Sequence, residues 1–135
     1  MKLFIDTSAF LAILNRNDQF HPSATKVWEE ILSSKMLLFC SNYVLIETLA
    51  ILQNRFGIEA VLLFEHNIQP ILEIIWIDAD IHRQGMGILL SAGRRKLSLV
   101  DCTSFETIRI ENMDIVFTFD PHFAEQGFEV VPALP

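Results

Sequence analysis

Apolar residues recur along this chain with two different periods, and the alternation between them predicts its elements. Leu3-Phe4-Ile5 is a continuous apolar run between Lys2 and Asp6, the pattern of a short strand buried on both faces. Ala9, Phe10, Ala12, Ile13 and Leu14 then suit a short helix that ends near Asn15-Arg16-Asn17-Asp18. His21-Pro22-Ser23 opens a second helix, with Ala24, Val27, Trp28, Ile31 and Leu32 at helical spacing until Ser33-Ser34-Lys35 breaks it. Met36 to Cys40 reads as the next strand, and Ser41 as the N-cap of a helix from Asn42 to about Arg55. Phe56-Gly57 stops that helix, and another runs to about Asn67. Ile71 to Ile77 reads as the third strand, followed by a helix from Asp78 to Leu90 that Gly85 and Gly87 weaken. Ala92-Gly93-Arg94-Arg95-Lys96 is a basic loop, and Ser98 starts a helix to about Asn112. Ile115 to Phe119 is the fourth strand, Asp120-Pro121 a turn, and Phe128 to Val131 a short last strand.

Helices between successive strands imply right-handed crossovers. The predicted fold is therefore α/β, a three-layer α/β/α sandwich around a mainly parallel sheet of about five strands. The 135 residues contain no repeat, low-complexity tract or linker, so residues 1–135 read as a single domain. At this size folding buries roughly two-thirds of the unfolded chain's surface, enough for a real core. Apolar residues make up 51% of the chain, at the top of the usual range, and part of that excess suits an interface with a second copy or a partner. Cys40 and Cys102 stand alone, outside any zinc-ligand spacing, and read as reduced thiols of the core. No stretch approaches the length of a membrane span, and nothing at the N-terminus resembles a cleavable leader. The expected location is the cytoplasm.

Charge narrows the chemistry. Ten basic residues against 17 acidic give a net charge of −7, the wrong sign for a protein that holds nucleic acid by charge alone. An RNA partner would need a local basic patch or bound cations. Four acids stand where such cations can be held. Asp6 ends the first strand and would lie at the carboxyl edge of the sheet, where open α/β folds bind their ligands. Asp120 ends the fourth strand in the same way, although with Pro121 it also fits a helix N-cap. Glu47 lies in an apolar stretch of helix that leaves it no polar face, so its burial would need compensation, and it also fits a surface Glu on a helix whose core stripe lies elsewhere. Asp101 forms an S-x-x-D capping box with Ser98, and a helix N-terminus beside the sheet edge can present the same carboxylate to a cleft.

Four converging carboxylates would raise one another's pKa values unless a divalent cation joined them. An all-oxygen site suits Mg²⁺ or Mn²⁺ rather than Zn²⁺. Such a site polarises a phosphoryl oxygen and activates water, which is the chemistry of phosphodiester hydrolysis. Thr7, Ser8 and Thr118 can orient the acids from behind, or serve as ordinary residues at element ends. Arg94, Arg95 and Lys96 form the best local patch for an RNA backbone, and equally fit a solvated loop.

Phe4-Ile5-Asp6-Thr7-Ser8, Glu47 within a helix, Leu97-Ser98-Leu99-Val100-Asp101-Cys102 and Thr118-Phe119-Asp120-Pro121-His122-Phe123 resemble, in order and spacing, the PIN-domain nucleases. The likeness spans essentially the whole chain, and is strongest to the small VapC-like toxins of type II toxin–antitoxin pairs. It implies a PIN-like fold, a metal-dependent endoribonuclease, a homodimer, and an antitoxin protein that holds the enzyme inactive. It also implies that Asp6, Glu47, Asp101 and Asp120 form the catalytic metal site. Two other readings share the motif: an RNA-processing PIN nuclease without an antitoxin, and a PIN fold that binds RNA or protein without cleaving. A Mg²⁺-binding signalling receiver is disfavoured, because no Lys follows the fourth strand and no second acid flanks Asp6.

Overall fold

A computed structural model describes residues 1–133. Five strands, β1 (Lys2–Ile5), β2 (Leu37–Ser41), β3 (Glu73–Ile75), β4 (Ile115–Phe117) and β5 (Val130–Val131), form one sheet in the order β3-β2-β1-β4-β5. All four pairings are parallel. Among the described residues, seven α-helices connect them: α1 (Thr7–Leu14), α2 (His21–Leu32), α3 (Asn42–Phe56), α4 (Ile58–Asn67), α5 (Ala79–Ala92), α6 (Leu99–Ile110) and α7 (Pro121–Glu125). This is the α/β architecture expected from the alternation of strand and helix patterns.

The chain steps one way across the sheet from β1 to β2 to β3, then returns past β1 to lay down β4 and β5. Right-handed crossovers therefore put α1 to α4 on one face and α5 to α7 on the other. Within those layers α1 packs on α2 and α3, α3 on α4, and α5 on α6. The reversal falls between β1 and β4, which are hydrogen-bonded neighbours. That junction is the topological switch point, where the crossover loops part and leave a crevice beyond the strands' carboxyl ends.

The central strand has the burial its sequence demands, with Leu3, Phe4 and Ile5 all within the core. Aromatic rings fill the layers beside it: Phe10 meets Phe64 edge-on at 5.2 Å between centroids, and Phe105 meets Phe123 at 5.0 Å. Both cysteines are buried and free, and burial pushes the Cys40 thiol up to about 12. No helix among the described residues is long and apolar enough to cross a membrane.

Several expected boundaries shift. The predicted strand Ile71 to Ile77 shrinks to Glu73–Ile75, because Gln69–Ile71 forms a 3₁₀ turn on Pro70 and Trp76 stands 71% exposed beyond the sheet edge. β4 ends at Phe117 rather than Phe119, since the Thr118 and Ser8 hydroxyls redirect the backbone there. The helix expected to end at Leu90 runs to Ala92, where Gly93 takes a left-handed φ of 59° and closes it.

Candidate active site

Register brings the acids together. Ile5 pairs with Phe117, and the Asp6 amide donates to the Phe117 carbonyl at 3.1 Å. Asp6 therefore leaves β1 directly beside Thr118, two residues before Asp120. Asp6 is only 4% exposed, and its Oδ2 accepts hydrogen bonds from Ser8 Oγ at 2.9 Å and Thr118 Oγ1 at 3.0 Å. The same hydroxyls accept backbone amides, Ser8 from Phe119 at 2.9 Å and Thr118 from Asp120 at 2.9 Å. Two side chains thus fix the end of β1, the path of the following loop and the orientation of Asp6.

Thr7 behaves differently from Ser8. Its hydroxyl reaches the Val44 carbonyl at 3.5 Å and accepts from Thr48 Oγ1 at 3.1 Å. It ties α1 to α3 and makes no hydrogen bond to Asp6.

Asp101 sits at the start of α6 in a complete capping box. The Ser98 amide donates to Asp101 Oδ2 and the Asp101 amide to Ser98 Oγ, both at 3.1 Å. The structural and chemical readings of Asp101 are therefore compatible: the cap fixes the carboxylate, and the fixed carboxylate lies within 4.8 Å of ligand-capable atoms of Asp120 and His122. Asp120 caps α7, its Oδ1 accepting the His122 amide at 2.9 Å.

His122 is the residue that the sequence patterns did not single out. Its Nδ1 is buried and lies 2.8 Å from Asp120 Oδ1, yet among the described residues it makes no hydrogen bond. Ligand-capable atoms of Asp101, Asp120 and His122 all fall within 4.8 Å of one another. A signal was available in Asp120-Pro121-His122, because an N-cap Asp folds its carboxylate back onto the residues that follow it.

Asp6 lies outside that group of three but within reach of its charges. Burial, reinforced by the Asp101 charge, pushes the Asp6 carboxyl up to about 7; the Ser8 and Thr118 hydrogen bonds oppose this, and Asp120 adds to it. Burial also raises Asp101, with the Asp120 charge acting in the same direction. Clustered carboxylates, two of them raised by burial, beside a ring nitrogen of His122 could hold a divalent cation. The residues present fit such a group.

Glu47 is half-buried on α3, one residue from Thr48, whose hydroxyl reaches Thr7. Among the described residues, no hydrogen bond or ion pair joins it to the three aspartates. Its neighbour Ile46 is 64% exposed, so the outward face of α3 is itself apolar. An apolar stripe around Glu47 is thus no proof that it points inward. Arg94, Arg95 and Lys96 are exposed in the loop before α6. Arg94 pairs with Glu125 at 2.8 Å, which ties the loop to α7, the helix that Asp120 caps.

Comparison with known proteins points the same way. The PIN domain family matches residues 3–129. The chain is 32% identical over 132 residues to the 23S rRNA-specific endonuclease VapC20 of Mycobacterium tuberculosis, covering 96% of this chain and 98% of that protein. The crystal structure of VapC20, described as a sarcin–ricin loop cleaving toxin, superposes with a TM-score of 0.83 at 30% identity, over 98% of this chain and 99% of that one. VapBC2 from Rickettsia felis, bound to a DNA fragment from its promoter, shares the fold alone, with a TM-score of 0.71 at 16% identity over 96% and 97% of the two chains. The same holds for FitAcB from Neisseria gonorrhoeae, at 0.69 and 17% over 95% of each. With the family matching nearly end to end and a relative this similar across its whole length, the chain belongs to the PIN domain family.

Proposed function

We propose that residues 1–135 form one PIN domain that acts in the cytoplasm as a cation-dependent endoribonuclease, the toxin of a toxin–antitoxin pair. Asp6, Glu47, Asp101 and Asp120 are its catalytic and metal-holding residues, and Mg²⁺ or Mn²⁺ its cofactor. The observation that carries this reading is the gathering of Asp6, Asp101 and Asp120 at the switch point, Asp6 tied through Thr118 to the Asp120 amide and Asp101 within 4.8 Å of Asp120. Similarity to VapC20 supports a loop of 23S ribosomal RNA as substrate.

A cation bound here would polarise the scissile phosphate and activate water for in-line attack. The chain's own part is to hold the carboxylates in place before substrate arrives. Ser8 and Thr118 keep Asp6 in one rotamer, Ser98 keeps Asp101 in another, and the His122 amide sets Asp120. Fixed donors need no reorganisation during the reaction, and that is where electrostatic catalysis gains most. The exposed loop Arg94-Arg95-Lys96 then offers charge to the RNA backbone that the acidic body repels.

Partner binding falls to the apolar surface of α3 and α4. Ile46, Phe56, Ile58, Leu62 and Leu63 stay exposed there, a face suited to a second copy of the chain or to an antitoxin segment.

The test is cleavage of a labelled sarcin–ricin-type hairpin by purified protein, with and without EDTA. Wild-type protein should cut only with Mg²⁺ or Mn²⁺, and Asp6→Asn and Asp101→Asn should each lose at least about 100-fold, the usual scale for a missing electrostatic group. Equal cleavage by wild type and both variants would refute the site.

A further inference from the structure

We infer that His122 completes this site as a nitrogen ligand, through Nδ1, and that the site consequently prefers Mn²⁺ to Mg²⁺. The inference rests on the cation-dependent reading above and adds a residue outside the set of four acids.

Three observations converge on it. A ring nitrogen of His122 lies with carboxylate oxygens of Asp101 and Asp120 inside a single 4.8 Å group. The nitrogen is buried and makes no hydrogen bond, although the side chain is only 14% exposed and water cannot readily compensate it. A buried polar atom left in this way costs free energy unless something outside the chain meets it. Finally, Nδ1 approaches Asp120 Oδ1 to 2.8 Å without the alignment of a hydrogen bond. Two donor atoms this close suit adjacent positions around one ion. Adjacent ligands at ~2.1 Å from an octahedral cation are ~3.0 Å apart, close to what is seen.

The bland alternative is a protonated His122 held beside Asp120 as an ion pair. That arrangement would give Mn²⁺ uptake without ¹⁴N coupling.

Selectivity follows from the donor. Mg²⁺ binds oxygen almost exclusively and parts with its waters reluctantly, whereas Mn²⁺ accepts carboxylates and gains from an imidazole. Replacing one oxygen position by nitrogen therefore weights the site towards Mn²⁺.

Pulsed electron paramagnetic resonance of the Mn²⁺-loaded full chain, together with calorimetric titration of Mn²⁺ and of Mg²⁺, tests this without reference to activity. Wild-type protein should show ¹⁴N coupling to Mn²⁺ that disappears in His122→Ala. In that variant Mn²⁺ affinity should fall by at least about tenfold, the scale of losses caused even by residues behind the ligands, with Mg²⁺ affinity nearly unchanged. His122→Asp, which restores an oxygen donor, should shift preference back towards Mg²⁺ and guards against a folding defect in the alanine variant. Mn²⁺ uptake that depends on Asp101 but lacks ¹⁴N coupling, or coupling that survives in His122→Ala, would overturn the role of His122 and leave the cation site standing. No Mn²⁺ uptake sensitive to Asp101→Asn would overturn both.

Discussion

Asp6 shows how much one residue's chemistry depends on its neighbours. Its place at the end of an apolar run was legible, because Leu3-Phe4-Ile5 can only be a buried strand and the acid follows directly. The hydroxyls that hold it were legible only as candidates. Thr7 and Ser8 are adjacent and chemically alike, yet the turn into α1 sends Ser8 to Asp6 and Thr7 to α3. The raised pKa carries a consequence for stability. Between 3.8 and about 7 the folded protein keeps the Asp6 proton and the unfolded chain releases it. The native state then binds more protons, so cation-free protein loses stability as pH rises through that window. We expect thermal unfolding of EDTA-treated protein to show a falling Tm from pH 5 to pH 8. Asp6→Asn should flatten that profile and stabilise the fold at pH 8 by roughly 2 to 4 kcal/mol, since every tenfold change in proton affinity is worth about 1.4 kcal/mol. Adding Mn²⁺ at pH 8 should raise the Tm of wild type and not of the variant. A flat profile in wild type would contradict the burial of an ionisable Asp6.

Among the elements, the caps were written plainly in the sequence and the packing was not. Ser41 and Ser98 act as the N-caps their positions foretold, accepting the amides of Val44 and Asp101 at 3.1 Å each. Capping is local chemistry, decided within four residues. Gly85 and Gly87 looked alike as weak points of one helix. In the fold, a Cβ on Gly85 would meet Thr103 Cγ2 at 2.5 Å, while one on Gly87 would meet nothing within 4 Å. Gly85 is the contact that lets α5 close on α6 and so set the helix that carries Asp101. Chemical denaturation should find Gly85→Ala destabilised by about 1–3 kcal/mol through overpacking, and Gly87→Ala stabilised by up to about 1 kcal/mol through helix propensity. Equal effects would show that the α5–α6 approach is looser than described. The third strand was overread because β3 is an edge strand, and its Ile and Trp residues signal apolar surface without fixing where pairing stops.

For the whole molecule, the acidic balance of −7 and the proposed RNA substrate are reconciled by position rather than by amount. Long-range repulsion is screened beyond about 8 Å at physiological salt, so a short basic loop at the crevice can act locally. Arg94 is partly engaged with Glu125, which leaves Arg95 and Lys96 as the more available charges. Replacing both by alanine should weaken hairpin binding more at low salt than at high, and reduce the slope of log K against log salt by about 1.4, at about 0.7 per single-strand phosphate contact. An unchanged slope in filter-binding titrations would move the RNA path away from this loop. The sequence by itself determined the order of strands and helices, the helix caps and the three aspartates that end or begin elements, because each depends on residues close together in the chain. The tertiary structure alone decided that β1 and β4 are neighbours, that Ser8 rather than Thr7 serves Asp6, that Gly85 is a contact and Gly87 is not, and that His122 joins Asp101 and Asp120. Those outcomes turn on register and on packing between segments up to 112 residues apart, and no local pattern encodes them.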